Sequence, residues 1–254
     1  MYYCTVSTKK EQNLKRLLQA NREVPITTVK LKKMGISPFL ARRYKKSGWI
    51  EHIGFGAYKF PGFDISIEGL LHCLQFDLML NLHAGAKTAL EMAGIRHYYR
   101  EKERVYFFIE GKSNVPLWVR NSPINTKIIR SLKWNQKEFL HNPGTKEFDF
   151  FIATKELAIF EQIELINRGE NFEETALLFE LLTSLNPEII NKLLKEASVK
   201  TKRIFAFLAD SYNHPWKKEI NKDLLDSGQS EISIEKGGKY IKDYHLVIPG
   251  NFNV

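Results

Sequence analysis

The residues with the plainest chemical capacity are four cations in a run of five, Arg42-Arg43-Tyr44-Lys45-Lys46. Guanidinium and ammonium groups at this density bind phosphates and guanine edges. Other stretches have the outline of catalytic motifs but lack a member. Gly85-Ala86-Lys87-Thr88 looks like the end of a phosphate-binding loop, which needs Gly-Lys-Thr and a further glycine five positions back; here Ala86 intervenes between Gly85 and Lys87, and five positions before Gly85 stands Leu80. Glu110-Gly111-Lys112 has the spacing of half a metal-dependent nuclease site, which needs a second carboxylate to hold the ion. Asp64 and Asp77, the only aspartates before Glu91, are the upstream candidates, and neither falls in a persuasive strand. The histidines are scattered, without a His-x-x-x-His pair or a Cys/His cluster, and His83 and His97 read as structural. Cys4 and Cys73, the only cysteines, have no CxxC spacing and suit a reducing, cytoplasmic setting. No catalytic residue, metal site or cofactor is expected, and the chain is not expected to be an enzyme.

Charge narrows the partner. Residues 1–60 carry 13 Lys and Arg against 3 acids, 13 − 3 = +10, while the remainder carries 25 against 26, a net of −1. A basic patch at one end attracts a polyanion and releases its counterions. No apolar run of eighteen residues is present, so no membrane span is expected.

The elements that must position the cations follow from local patterns. Thr8 to Ala20 has Leu14, Leu17 and Leu18 at helical spacing. Thr27 or Thr28 can cap a second helix running to Met34, with Val29 and Leu31 as core candidates. Gly35 supplies a turn, and Ser37-Pro38 marks the start of a third helix reaching about Ser47. At 100° per residue Leu40 and Tyr44 face the core, with Arg42, Lys45 and Lys46 broadly opposite and Arg43 on a flank. Gly48 ends that helix. Trp49 to Ile53, a Gly54-Phe55-Gly56 tip and Ala57 to Phe60 form a hairpin, with Trp49 read as a core or hinge residue. This order defines a winged helix-turn-helix, with Lys59 and the glycine backbone of the wing near phosphate or the minor groove.

Pro61-Gly62 suggests a linker, giving a head over residues 1–62 and a body over 63–254. In the body, helices are expected over Ser66–Leu80, Ala86–Ala93, Thr154–Asn167, Phe172–Ser184, Pro187–Glu196 and Lys200–Tyr212. Strands are expected over Arg104–Ile109, Thr126–Leu132, Phe148–Ile152, Glu231–Ile234 and Tyr244–Ile248. His214-Pro215-Trp216 reads as a helix-ending turn with a buried indole. The fold class is α+β: a winged helix followed by a larger mixed domain with a helical block.

The stretches GISPFLARRYKKSGWIEHIGFGAYKFP (35–61), LHAGAKTALEMAGIRHY (82–98), PLWVR (116–120), TKELAIFEQI (154–163) and KRIFAFLADSYNHPW (202–216) carry a resemblance. The chain resembles the AbiEi-type antitoxins, transcriptional regulators of type IV toxin–antitoxin systems. That resemblance implies an N-terminal winged helix binding operator DNA, with inverted repeats expected, and repressing its own operon. It implies a C-terminal antitoxin domain acting against a nucleotidyltransferase-like toxin without requiring a stable complex. The implied DNA contacts are Ser37, Arg42, Arg43, Lys45 and Lys46 on the helix and Phe55, Tyr58 and Lys59 in the wing. From the residues alone, the alternative is a stand-alone winged-helix transcription factor whose body senses a ligand or mediates assembly.

Overall fold

A computed structural model describes residues 9–96, 104–130, 134, 136–225, 228 and 230–252. Cys4, His97 and the last two residues of the strand expected to reach Leu132 lie outside the described residues.

The head comprises α1 (Lys9–Leu18), β1 (Ile26–Thr27), α2 (Thr28–Lys33), α3 (Pro38–Lys46), β2 (Glu51–Gly54) and β3 (Ala57–Lys59). Thr27 starts α2 by accepting a hydrogen bond from Lys30 N, and Ser37 does the same for α3 from Leu40 N. Each such cap is worth about 1 kcal/mol. Gly35 takes φ +79° between the two helices, a left-handed conformation that a Cβ disfavours. The hairpin of β2 and β3 is extended by β1, in the order β1-β3-β2. Leu17, Ile26, Leu31, Ile36, Ala41, Tyr44, Ile50 and Phe60 form one small core beneath the helices. Val29, an expected core residue, is instead exposed on the outer side of α2. Trp49 is 42% exposed, and its neighbour Ile50 enters the core. The Trp49 backbone N–H donates to the Tyr44 carbonyl at 2.9 Å, so its place is the turn closing α3, not the core.

The body begins with α4 (Ile67–His72), which continues as a π-helical turn over Cys73–Asp77 and stops short of the expected Leu80. Then follow β4 (Leu82–Ala84), α5 (Ala86–Met92), β5 (Val105–Ile109), α6 (Leu117–Arg120), β6 (Thr126–Arg130), β7 (Leu140–His141) and β8 (Ile152–Ala153). The helical block is α7 (Lys155–Glu164), α8 (Phe172–Glu180), α9 (Pro187–Glu196) and α10 (Val199–Ser211). Three short strands close the chain: β9 (Ile232–Ser233), β10 (Lys239–Ile241) and β11 (Leu246–Ile248). The main sheet has the order β6-β5-β4-β8-β7, and the closing strands form a second sheet, β10-β11-β9. All five residues of β5 are buried, as expected of a near-continuous apolar strand in the interior of a sheet. Of the expected Phe148–Ile152 strand, only Ile152 pairs, joined by Ala153. Helix α7 is buried on nearly every side and packs against α5, α8, α9 and α10.

Head and body are directly joined. Ser66 N donates to the Glu23 carbonyl at 3.2 Å, Lys146 Nζ lies 2.7 Å from the Glu23 carboxylate, and Lys30 Nζ lies 3.3 Å from the buried Asp77. The wing strand β2 lies on α6, where a Cβ built on Gly54 would stand 2.3 Å from the Cβ of Trp118. Only glycine permits that approach, so it fixes the wing against the body.

Candidate nucleic-acid interface

Helix α3 divides into two faces. Ala41 and Tyr44 are buried and Leu40 is half-buried against the same core, while Arg42, Arg43, Lys45 and Lys46 are all exposed. Burial raises the Tyr44 phenol above its ordinary pKa, as expected of a neutral core hydroxyl. The side chains expected to face outward therefore do so, and α3 itself carries no acid to neutralise them.

At the tip of the wing Phe55 is 97% exposed. Tyr58 is half-buried and packs edge-on against His52, with ring centroids 5.5 Å apart. Between the start of α3 and the wing runs a groove of about 920 Å³. Ser37, Arg42, His52, Phe55 and Tyr58 line it, so four of the eight expected contact residues converge there. Arg43, Lys45 and Lys46 continue along the exposed side of α3. Lys59 behaves differently. Its ammonium donates to the Phe63 carbonyl at 3.2 Å and stands 3.8 Å from the Glu51 carboxylate, at the base of the wing.

Two features escape a search by charge. Phe39 is 68% exposed in the first turn of α3, and Trp118 sets the position of the wing through Gly54. The helical spacing of Phe39 with Arg42, Arg43 and Lys46 was readable from the sequence. The Trp118 contact, between residues 64 positions apart, carried no local signal.

The body's motif-like residues are engaged with one another. The N-terminal N–H groups of α5, where a phosphate-binding loop would cradle its anion, are taken by side chains of α7. Ala86 N donates to Glu161 Oε2 at 3.1 Å, and Lys87 N to Gln162 Oε1 at 3.1 Å. A Cβ on Gly85 would lie 2.1 Å from Glu161 Oε2, so the space is filled. Lys87 Nζ is buried and donates to Glu170 at 2.9 Å and to Glu174 at 3.4 Å. Burial opposes ionisation of Glu170, but hydrogen bonds from Tyr106, Lys87 and Gln162 more than offset it and hold the carboxyl below its ordinary range. Burial and the hydrogen bond to Glu170 push the Tyr106 phenol up to about 12. His83 is fully buried, 2.8 Å from Glu161 and stacked on Phe108. Asp77 pairs with Lys30, and Glu110 accepts a hydrogen bond from Asn81. Among the described residues no group of three or more His, Cys, Asp or Glu is placed to hold a metal ion. Trp216 is buried and donates to the Leu182 carbonyl at 2.8 Å, as the His-Pro-Trp turn requires.

The class of protein is thus an α+β chain with a cationic winged-helix head set against a larger body. Two family models divide the chain between them. The N-terminal domain of the AbiEi antitoxin transcriptional regulators matches residues 10–100, and the AbiEi antitoxin transcriptional regulators of type IV toxin–antitoxin systems match residues 102–249. The chain belongs to this family of antitoxin transcriptional regulators. The crystal structure of the RV2827C protein from Mycobacterium tuberculosis shares the fold, with TM-score 0.65 at 17% identity, over 94% of this chain and 91% of that one. No curated protein matches the sequence. Among the described residues no helix is long and apolar enough to cross a membrane.

Proposed function

We propose that this chain represses its own operon by binding operator DNA through the head, residues 1–62, and counters a nucleotidyltransferase-like toxin through the body, residues 63–254. The observation that carries this reading is the outward face of α3, where Arg42, Arg43, Lys45 and Lys46 are exposed together beside a groove bounded by the wing. In this reading α3 enters the major groove and the wing follows the neighbouring backbone. Ser37, Arg42, Phe55 and Tyr58 face the groove, while Arg43, Lys45 and Lys46 supply further phosphate and base contacts. Lys59 contributes by releasing its weak surface pair with Glu51 or by steadying the base of the wing. Inverted half-sites bind two copies of the head, and the protein works in the cytoplasm beside its operon. Family membership supports the regulatory and antitoxin roles. The body's near-neutral charge assigns the electrostatic work to the head.

The test has two arms. Affinity for the upstream DNA of its own operon is expected to fall roughly 10³-fold between 50 and 200 mM salt if about six phosphates are contacted. A flat salt response, or no binding, overturns the DNA-binding assignment. Co-expression of the adjacent toxin gene with the full chain and with a body-only variant tests the antitoxin role. Rescue by the body alone places that role there, and loss of rescue with a folded body removes it.

A further inference from the structure

A single apolar side chain on a protein surface is ordinary, but one at the centre of a cationic face offered to a polyanion is placed to read an apolar feature of that partner. Phe39 is 68% exposed. It is followed at i+3, i+4 and i+7 by Arg42, Arg43 and Lys46, all exposed. At 100° per residue, Phe39 and Lys46 lie within about 20° of each other around the helix, with Arg42 and Arg43 on either side. This stripe points away from the buried Ala41 and Tyr44, so Phe39 sits at the middle of the outward face and not at its margin. It also lies in the first turn of α3, the end of a recognition helix whose side chains reach base edges.

We infer that Phe39 reads the C5-methyl group of a thymine in the major groove; this rests on the DNA-binding reading of the head. The ring has no hydrogen-bonding atom, so the donor and acceptor code of the base edges is closed to it. The thymine methyl is the apolar feature that code displays, and contact with phenylalanine is among its known recognition modes. The flanking Arg42, Arg43 and Lys46 favour a polyanion over an apolar or cationic protein surface as the occupant of this face. The cations supply affinity and register. Phe39 adds discrimination at one base pair, because cytosine and guanine offer no methyl there. The stripe from Phe39 to Lys46 spans roughly 10 Å along the helix, enough to cover about three base pairs.

The full-length protein is used to select tight-binding duplexes from a random DNA library. Each thymine of a selected duplex is then replaced singly by deoxyuridine, which removes only the methyl group, and binding is followed by fluorescence anisotropy at fixed salt. One thymine per half-site is expected to show about a fourfold loss of affinity, the value of one buried methyl. Phe39→Ala is expected to bind the thymine and deoxyuridine duplexes equally, and Phe39→Leu to keep part of the difference. The slope of affinity against salt is expected to be unchanged in Phe39→Ala, since no phosphate contact is lost. Absence of any deoxyuridine-sensitive thymine with the wild-type protein overturns the inference, as does a sensitivity that persists in Phe39→Ala. Failure to select any duplex overturns the DNA-binding reading itself, a different outcome.

Discussion

The head and the body use ionisable side chains in opposite directions. On α3 the cations lie on the face away from a small apolar core and meet solvent, with Arg42, Arg43, Lys45 and Lys46 all exposed. In the body, four such residues are buried in two pairs, His83 with Glu161 and Lys87 with Glu170, between α5, α7 and the main sheet. Charge facing water is held ready for an external partner, whereas charge turned inward has already found its partner. The same lysine chemistry therefore reads as an interface in one region and as architecture in the other. A motif resembling a phosphate site, as at Gly85 to Thr88, identifies nothing until the owner of its N–H groups is known. Here that owner is Glu161, with Gln162 beside it.

The sharpest way to break this contrast is to remove a buried charge. Lys87→Met keeps the length of the stem but leaves Glu170 without its ion partner. Breaking one side of a buried pair costs about 3–5 kcal/mol, which chemical denaturation would read as a lowered midpoint. DNA affinity measured well below the unfolding temperature is expected to remain intact. A stability within error of wild type would show that the buried pair is not structural. The pH response sharpens the point. Because the folded-state pKa of Glu170 lies below its ordinary value of about 4.5, its contribution is present above that pH and is lost as pH falls through the lowered value. Lys87→Met removes one cause of the lowering, so the loss of stability on acidification is expected to be shallower in the variant.

The outward cations answer the opposite test. Arg42→Ala with Lys46→Ala touches no core residue, so thermal stability is expected to stay within about 0.5 kcal/mol. DNA affinity is expected to fall roughly 30-fold or more, from two contacts worth about 1–3 kcal/mol each. The dependence of binding on salt would weaken with it. Unchanged affinity would remove α3 as the recognition element.

A third experiment asks how separate the two regions are. Gly54→Ala places a methyl group against Trp118 at a distance no real contact tolerates, so β2 or α6 must move. The expected cost is about 1–3 kcal/mol, as for overpacking elsewhere. A drop in DNA affinity smaller than that of the double variant would follow from the displaced wing. If stability and binding are both unaffected, the wing takes no guidance from the body.

How much of this was legible in the sequence follows from where the signals lie. Ser37-Pro38 and Gly48 bracket α3 with local chemistry, and the helix forms between them. Pro187–Glu196 is bounded just as its Asn186 cap and leading proline indicate. The wing's glycines mark its tip. By contrast β4, only Leu82–Ala84, places a histidine between two apolar residues, and the Nε2 of that histidine meets Glu161, 78 residues away. The break from α4 into a π-helical turn leaves no comparable mark in an apolar stretch. Nor does the pairing of Lys30 with Asp77, which turns a candidate metal ligand into a joint between head and body. Phe39 is an intermediate case. Its helical spacing with Arg42, Arg43 and Lys46 lies in the sequence, but charge alone does not mark the apolar member of that stripe.

The smallest expected effect concerns the exposed end of that joint. Lys146 donates to Glu23 at 2.7 Å and holds its carboxyl below the ordinary range, yet both side chains remain substantially solvated. Such a pair is worth about 0.2–1 kcal/mol, less at high salt. A double-mutant cycle of Glu23→Gln and Lys146→Ala, followed by thermal unfolding at 50 and 500 mM salt, is expected to return a coupling in that range that shrinks with salt. DNA affinity would be unaffected, because neither side chain lies on α3 or the wing. A coupling well above 1 kcal/mol that survives salt would mean this joint acts as a buried contact. The head would then owe its orientation to Glu23 and Lys146 as well as to Gly54 and Trp118.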